Sequence, residues 1–82
     1  MAKQWVYKYK DYTIEVHNKN LNGSELYVNG ELCDKKKGMS LSDHLTVTLA
    51  SGEIVSATLE GAFSIECSLS INGKPQEPVE VK

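Results

Sequence analysis

Two cysteines and two histidines are the residues of this chain best suited to covalent or metal chemistry. Cys33 or Cys67 beside His17 or His44 would make a thiol–imidazole pair or part of a zinc site. The cysteines are far apart, no C-x-x-C occurs, and no two of these residues have metal-ligand spacing. Cys67 falls between Ile65 and Leu69 in an alternating apolar run and reads as a small buried hydrophobe, whereas His17 and His44 fall on polar faces. The structural reading is therefore preferred, with no metal and no cofactor expected. Phosphate-binding glycine loops, G-x-S-x-G, H-E-x-x-H and calcium-loop patterns are all missing from the sequence. No carboxylate pair is placed for acid–base work and no serine or threonine has a base behind it, so an enzyme is not expected.

The aromatic residues offer a second kind of chemistry. Trp5, Tyr7, Tyr9 and Tyr12 share one face of a hairpin, with Tyr27 a further candidate. Exposed, that face would stack sugar rings or hold a peptide. Ile14 and Val16 lie on the same side, however, so the core is the preferred reading and a small-ligand or glycan platform the alternative. Lys35, Lys36 and Lys37 are suited to an acidic partner or a lipid headgroup, but a short lysine run beside Asp34 reads more simply as a solvated loop or a charged edge.

Composition narrows the classes further. The chain has 82 residues, 9 of them lysine and none arginine, with a formal net charge of −2. An acidic chain without arginine lacks both the field and the bidentate donors that nucleic-acid recognition uses, so no nucleic acid is expected. No run approaches the ~18 apolar residues of a membrane span, and the start carries no apolar signal region. Those features point to a cytoplasmic protein with reduced thiols, although removal of a signal would leave the same start.

The elements that must hold these residues are strands, because apolar positions recur with period two and nowhere with helical spacing. A two-residue turn at Lys10-Asp11 sets Tyr9 opposite Tyr12, Tyr7 opposite Ile14 and Trp5 opposite Val16. Asn29-Gly30 marks a second hairpin with arms Ser24–Val28 and Glu31–Lys35. Its faces mix, with Leu26, Val28 and Cys33 on one side and Tyr27 and Leu32 on the other. A third hairpin turns at Ala50-Ser51-Gly52, pairing Val47 with Val55 and Leu45 with Ala57. A long strand is expected over Phe63–Ile71, ending at Asn72-Gly73. The last segment, Val79–Val81, could pair back on it, but a two-residue turn leaves its register wrong by one, which a longer loop or a bulge near Pro75 and Pro78 repairs. The sum is one all-β domain over residues 1–82, of about eight antiparallel strands in a small sandwich or, alternatively, a small barrel.

Trp5 at the head of the first strand, Leu26-Tyr27-Val28-Asn29-Gly30-Glu31-Leu32, and Leu69-Ser70-Ile71-Asn72-Gly73-Lys74 occur in an order that resembles one β-sandwich module of the Fas apoptotic inhibitory molecule type. The resemblance spans residues 5–74, and the aromatics found mid-module in that family are replaced by Met39-Ser40-Leu41. It implies a non-enzymatic sandwich acting through protein contacts and assigns no residue a role. The expected function is a non-catalytic interaction or structural module, which binds another protein or self-associates through an uncovered edge strand.

Overall fold

The computed structural model describes residues 2–19, 22–38, 42–61 and 64–82. Nine strands occur among them: β1 (Lys3–Tyr9), β2 (Tyr12–Asn18), β3 (Ser24–Val28), β4 (Glu31–Lys36), β5 (Ser42–Thr48), β6 (Ile54–Glu60), β7 (Glu66–Ile71), β8 (Lys74–Gln76) and β9 (Glu80–Val81). They form two antiparallel sheets, one ordered β4-β3-β2-β1-β9 and the other β5-β6-β7-β8. The inner face of the first sheet presents Trp5, Tyr7, Ile14, Val16 and Leu26. Against it the second sheet sets Leu45, Val55, Ala57, Leu59, Leu69 and Ile71. Each fully buried aliphatic chain of this kind contributes about 1.5–3 kcal/mol, so this single core holds the sandwich.

Strict alternation fixes the first and third hairpins. β1 and β2 pair Trp5 with Val16, Tyr7 with Ile14 and Tyr9 with Tyr12. β5 and β6 pair Leu45 with Ala57 and Val47 with Val55. Both registers keep Trp5, Tyr7, Ile14, Val16, Leu45, Val55 and Leu59 on the inner face, while Val6 and Ile54 fall on the outer one. At Asn29-Gly30 and at Asn72-Gly73 both turn residues take positive φ, between 50° and 83°. That is the mirror-image turn whose twist matches its flanking strands.

Three expectations change. First, Cys33 does not lie opposite Leu26. The β3–β4 ladder shifts after Tyr27↔Leu32, so Leu26 pairs with Asp34 and Cys33 is the extra residue of a bulge. The bulge turns Asp34 towards the second sheet, where its Oδ2 accepts the Thr46 N–H at 2.9 Å. Thr46 is on edge strand β5, so the carboxylate closes a backbone donor that would otherwise invite pairing. Second, the strand expected from Phe63 begins at Glu66. Its last rung with β6 is Glu60↔Glu66. Phe63 lies outside the described residues. Third, Val79–Val81 does not return to β7. Lys74–Gln76 takes that place, and the chain then crosses to the first sheet, where Val81 pairs with Trp5 and Glu80 with Val6. The misfit of register is resolved by a change of sheet, not by a bulge.

Candidate functional site

The aromatic residues do not form a surface platform. Trp5 and Tyr7 are 3% and 1% exposed and belong to the core. Packing of the second sheet over the inner face covers them, which is the arrangement the accompanying Ile14 and Val16 required. Tyr9 and Tyr12 are half-buried at the end of the sandwich, and Tyr27 lies on the outer face, its ring centroid 4.6 Å from that of His17. The five therefore serve three separate environments.

At the Tyr9–Tyr12 end the turn of β1–β2 meets the turn of β5–β6. The link is Glu53, a buried carboxylate that the sequence presents as an ordinary first residue of a strand. Its Oε2 accepts from Lys10 Nζ at 2.7 Å and from Tyr9 Oη at 3.0 Å, and its Oε1 accepts from Ser51 Oγ. Tyr12 Oη accepts the Ser51 N–H at 3.1 Å and completes the bridge. The Lys10 ammonium, followed by the Ser51 hydroxyl, holds the Glu53 carboxyl down at about 2. The same carboxylate pushes the Tyr9 phenol and the Lys10 ammonium up. This arrangement locks the two sheets together at one end.

Its pH dependence follows from the sign of the shift. A carboxyl whose folded value is depressed stabilises the fold above its unfolded value, near 4.5, and loses that contribution as pH falls towards 2. Acid titration of stability should therefore show a loss across that window, and Glu53→Gln should flatten it. Urea midpoints at pH 7, 4.5, 3 and 2 for both proteins measure the difference; parallel curves would remove Glu53 from the account.

The outer face of the first sheet carries a second polar group. Tyr27 Oη donates to Glu25 Oε1 at 2.6 Å, Lys19 Nζ sits 3.0 Å from the same oxygen, and His17 Nε2 lies 2.8 Å from Glu15 Oε1. The Tyr27 hydroxyl and then Lys19 lower the Glu25 carboxyl. Lys19 thus matches the Glu25 charge, and among the described residues no His, Cys, Asp and Glu cluster is arranged to hold a metal ion. Cys33 is exposed on the β4 bulge and Cys67 is half-buried, both as free thiols. His44 Nδ1 meets Thr58 Oγ1 at 3.2 Å on the outside of the second sheet. No thiol–imidazole pair is assembled from the described residues. Lys35 and Lys36 do lie on an edge, β4, as the charged-edge reading holds.

The concavity of most interest lies on the open side of the sandwich, between β1–β9 and β7–β8. It encloses about 320 Å³. Trp5, Leu69, Pro78 and Val81 form apolar walls, with Cys67 among them and Glu66 and Glu77 at the rim. The Tyr7 hydroxyl donates to Cys67 Sγ at 3.5 Å from behind, and burial pushes the Cys67 thiol up. Lys3 reaches across the mouth, where its Nζ donates to the Ile65 carbonyl at 3.2 Å, stands 4.0 Å from Glu66 Oε2 and lies over the Trp5 ring at 5.7 Å. Trp5 is a candidate from the sequence, whereas Lys3, Glu66, Glu77 and Pro78 join it only in the folded chain. The signal available was the register break at Pro75 and Pro78, which marks where the chain leaves one sheet for the other.

Set against known protein families, curated proteins and solved structures, the chain matches none.

Proposed function

We propose that this domain is a non-catalytic protein-interaction module that binds its partner on the open side of the sandwich. The observation that carries the reading is the cleft walled by Trp5, Leu69, Pro78 and Val81. Val79 and Val81 are 62% and 52% exposed, beside side chains that belong to the core. The other flanks of the sandwich are guarded. Edge strand β4 carries lysines and a bulge, β5 has its Thr46 N–H held by Asp34, and β8 contains Pro75.

The titratable groups support a role without catalysis. Glu53, held at about 2, is matched to neither acid nor base work near neutral pH, and the burial that raises Cys67 weakens it as a nucleophile. The resemblance of residues 5–74 to the Fas apoptotic inhibitory molecule module points the same way. On this reading the domain works in a reducing, cytoplasmic setting, with both cysteines as thiols.

Selection of a displayed peptide library on the folded domain, followed by amide chemical-shift mapping, tests the proposal. The expected result is enriched peptides whose shifts centre on Trp5, Cys67, Leu69 and Val81. Oligosaccharide binding at these residues, or a selection that enriches nothing, would overturn it.

A further inference from the structure

The cleft lies beside a stretch of strand edge that the chain leaves unpaired. β8 pairs with β7 through Ile71↔Lys74, Ser70↔Pro75 and Leu69↔Gln76, and there the ladder stops. Glu66, Cys67 and Ser68 remain in β7 and stay paired with β6 on their other side. In an antiparallel ladder the backbone groups of successive residues point alternately to the two neighbours. The Asn72 N–H donates to Ile54 in β6, which places residues 72, 70 and 68 on the β6 side and 71, 69 and 67 on the β8 side. The Ile65 carbonyl obeys the same alternation and takes the Lys3 ammonium. The N–H and C=O of Cys67 therefore face the lane that β8 has left, where no described strand residue pairs with them.

The sequence itself ends β8 at this point. Continuation of the ladder would set residue 78 opposite Cys67, and residue 78 is a proline with no N–H to give. Glu77 and Pro78 instead carry the chain across to β9. Pro75, by contrast, is opposite Ser70, between two hydrogen-bonded rungs, so its missing N–H lies on the outer edge of β8 and blocks addition there. One edge is closed by proline while the next stretch is opened by another.

Resting on the interaction-module reading, we infer that the Glu66–Ser68 edge of β7 receives an extended peptide by antiparallel strand addition, with one apolar side chain in the cleft and a basic residue next to it. The residue opposite Cys67 exchanges both backbone hydrogen bonds with it and shares its face, so its side chain enters between Trp5, Leu69 and Val81. The residues on either side of it point to the other face, alongside Glu66, whose side chain is 75% exposed. Charge chooses the basic neighbour. Glu66 and Glu77 stand at the rim, and the one cation among the lining residues, Lys3, is already held by the Ile65 carbonyl, the Trp5 ring and Glu66. The mouth carries an excess of negative charge that a lysine or arginine of the partner completes.

The probe is a blocked peptide, acetyl-Thr-Thr-Leu-Lys-Thr-Thr-amide, set beside the same peptide N-methylated at its leucine and a third with glutamate in place of lysine. Binding is followed by amide shifts and by hydrogen exchange of the intact domain. In the free domain the Cys67 amide should exchange fast and the Leu69 amide slowly. The parent peptide should slow exchange at Cys67 by about tenfold or more and move the Trp5 indole signal, while the N-methyl peptide binds about tenfold more weakly. Glu66→Lys, at an exposed position, should reverse the preference between the lysine and glutamate peptides. Equal binding by the N-methyl peptide, or shifts that leave Cys67 and Trp5 unmoved at millimolar peptide, would overturn strand addition. Library-selected peptides that bind in the cleft without protecting the Cys67 amide would sink this inference and leave the interaction module standing; an empty selection would sink both.

Discussion

Gly23→Ala is expected to cost at least about 3 kcal/mol, a large part of the 5–15 kcal/mol that holds a typical domain folded. Gly23 has φ of +93°, and a Cβ built there would lie 1.9 Å from the carbonyl oxygen of Lys36 and 2.9 Å from its carbon. Those are backbone atoms at the end of β4, fixed by the pairing of Ser24 with Lys36, so they have no flexible route of retreat. The Gly23 carbonyl also accepts the Lys19 N–H at 2.7 Å, which ties the same residue to the end of β2. Relief of the clash would have to break one of these two connections.

Gly30 provides the control. Its φ of +83° is as unfavourable for alanine as that of Gly23, but nothing lies within 4 Å of its Cβ position. Gly30→Ala should therefore cost only the conformational part, about 1–2 kcal/mol. Urea denaturation of the two variants separates sterics from backbone strain, because a loss of 1 kcal/mol moves the midpoint by about 1 M or less for small proteins. Equal midpoints for the two would show that the chain at Gly23 yields to a methyl group.

What the sequence made legible and what it hid divides along a physical line. The pairings of Trp5 with Val16 and Val47 with Val55 are local, since a slip of one residue would bury Lys8 or Thr46, and alternation alone excludes it. The bulge at Cys33 depends on an acceptor for the Thr46 N–H, which is a contact between strands of different sheets. Nothing near Asp34 in the chain announces that demand. The last strand lies between these cases. The conflict of Val79 and Val81 with β7 was visible, but its solution, pairing of Val81 with Trp5, exists only once the sheets are stacked. The site follows the same division. Trp5 could be named from its hairpin, whereas Lys3, Glu66 and Pro78 come together only across the open side of the sandwich. Glu53 shows the limit most clearly, because its partners Tyr9 and Lys10 lie at the end of β1 and in the turn after it, and no spacing links them to it.

The second hairpin, whose buried face the sequence left open, yields the other large effect. Leu26→Ala should destabilise the domain by about 3 kcal/mol, within the 2–5 kcal/mol range for a buried leucine, and Leu32→Ala by no more than about 0.5 kcal/mol. Leu26 is fully buried among the core side chains, whereas Leu32 is 42% exposed on edge strand β4. Period two places these residues on opposite sides of the hairpin, because Leu32 is opposite Tyr27 and Tyr27 follows Leu26. Only one of the two leucines can therefore face the core. The bulge sharpens the contrast, since it places Asp34 rather than Cys33 opposite Leu26 and leaves β4 without a fully buried side chain. Chemical denaturation of both variants, with the slope checked for constancy, reads the difference directly. Comparable losses would mean that the hairpin is buried on both faces and that β4 is covered by a further partner. A larger loss at Leu32 than at Leu26 would reverse the face assignment of the first sheet and, with it, the placement of Tyr27 beside His17 outside the core.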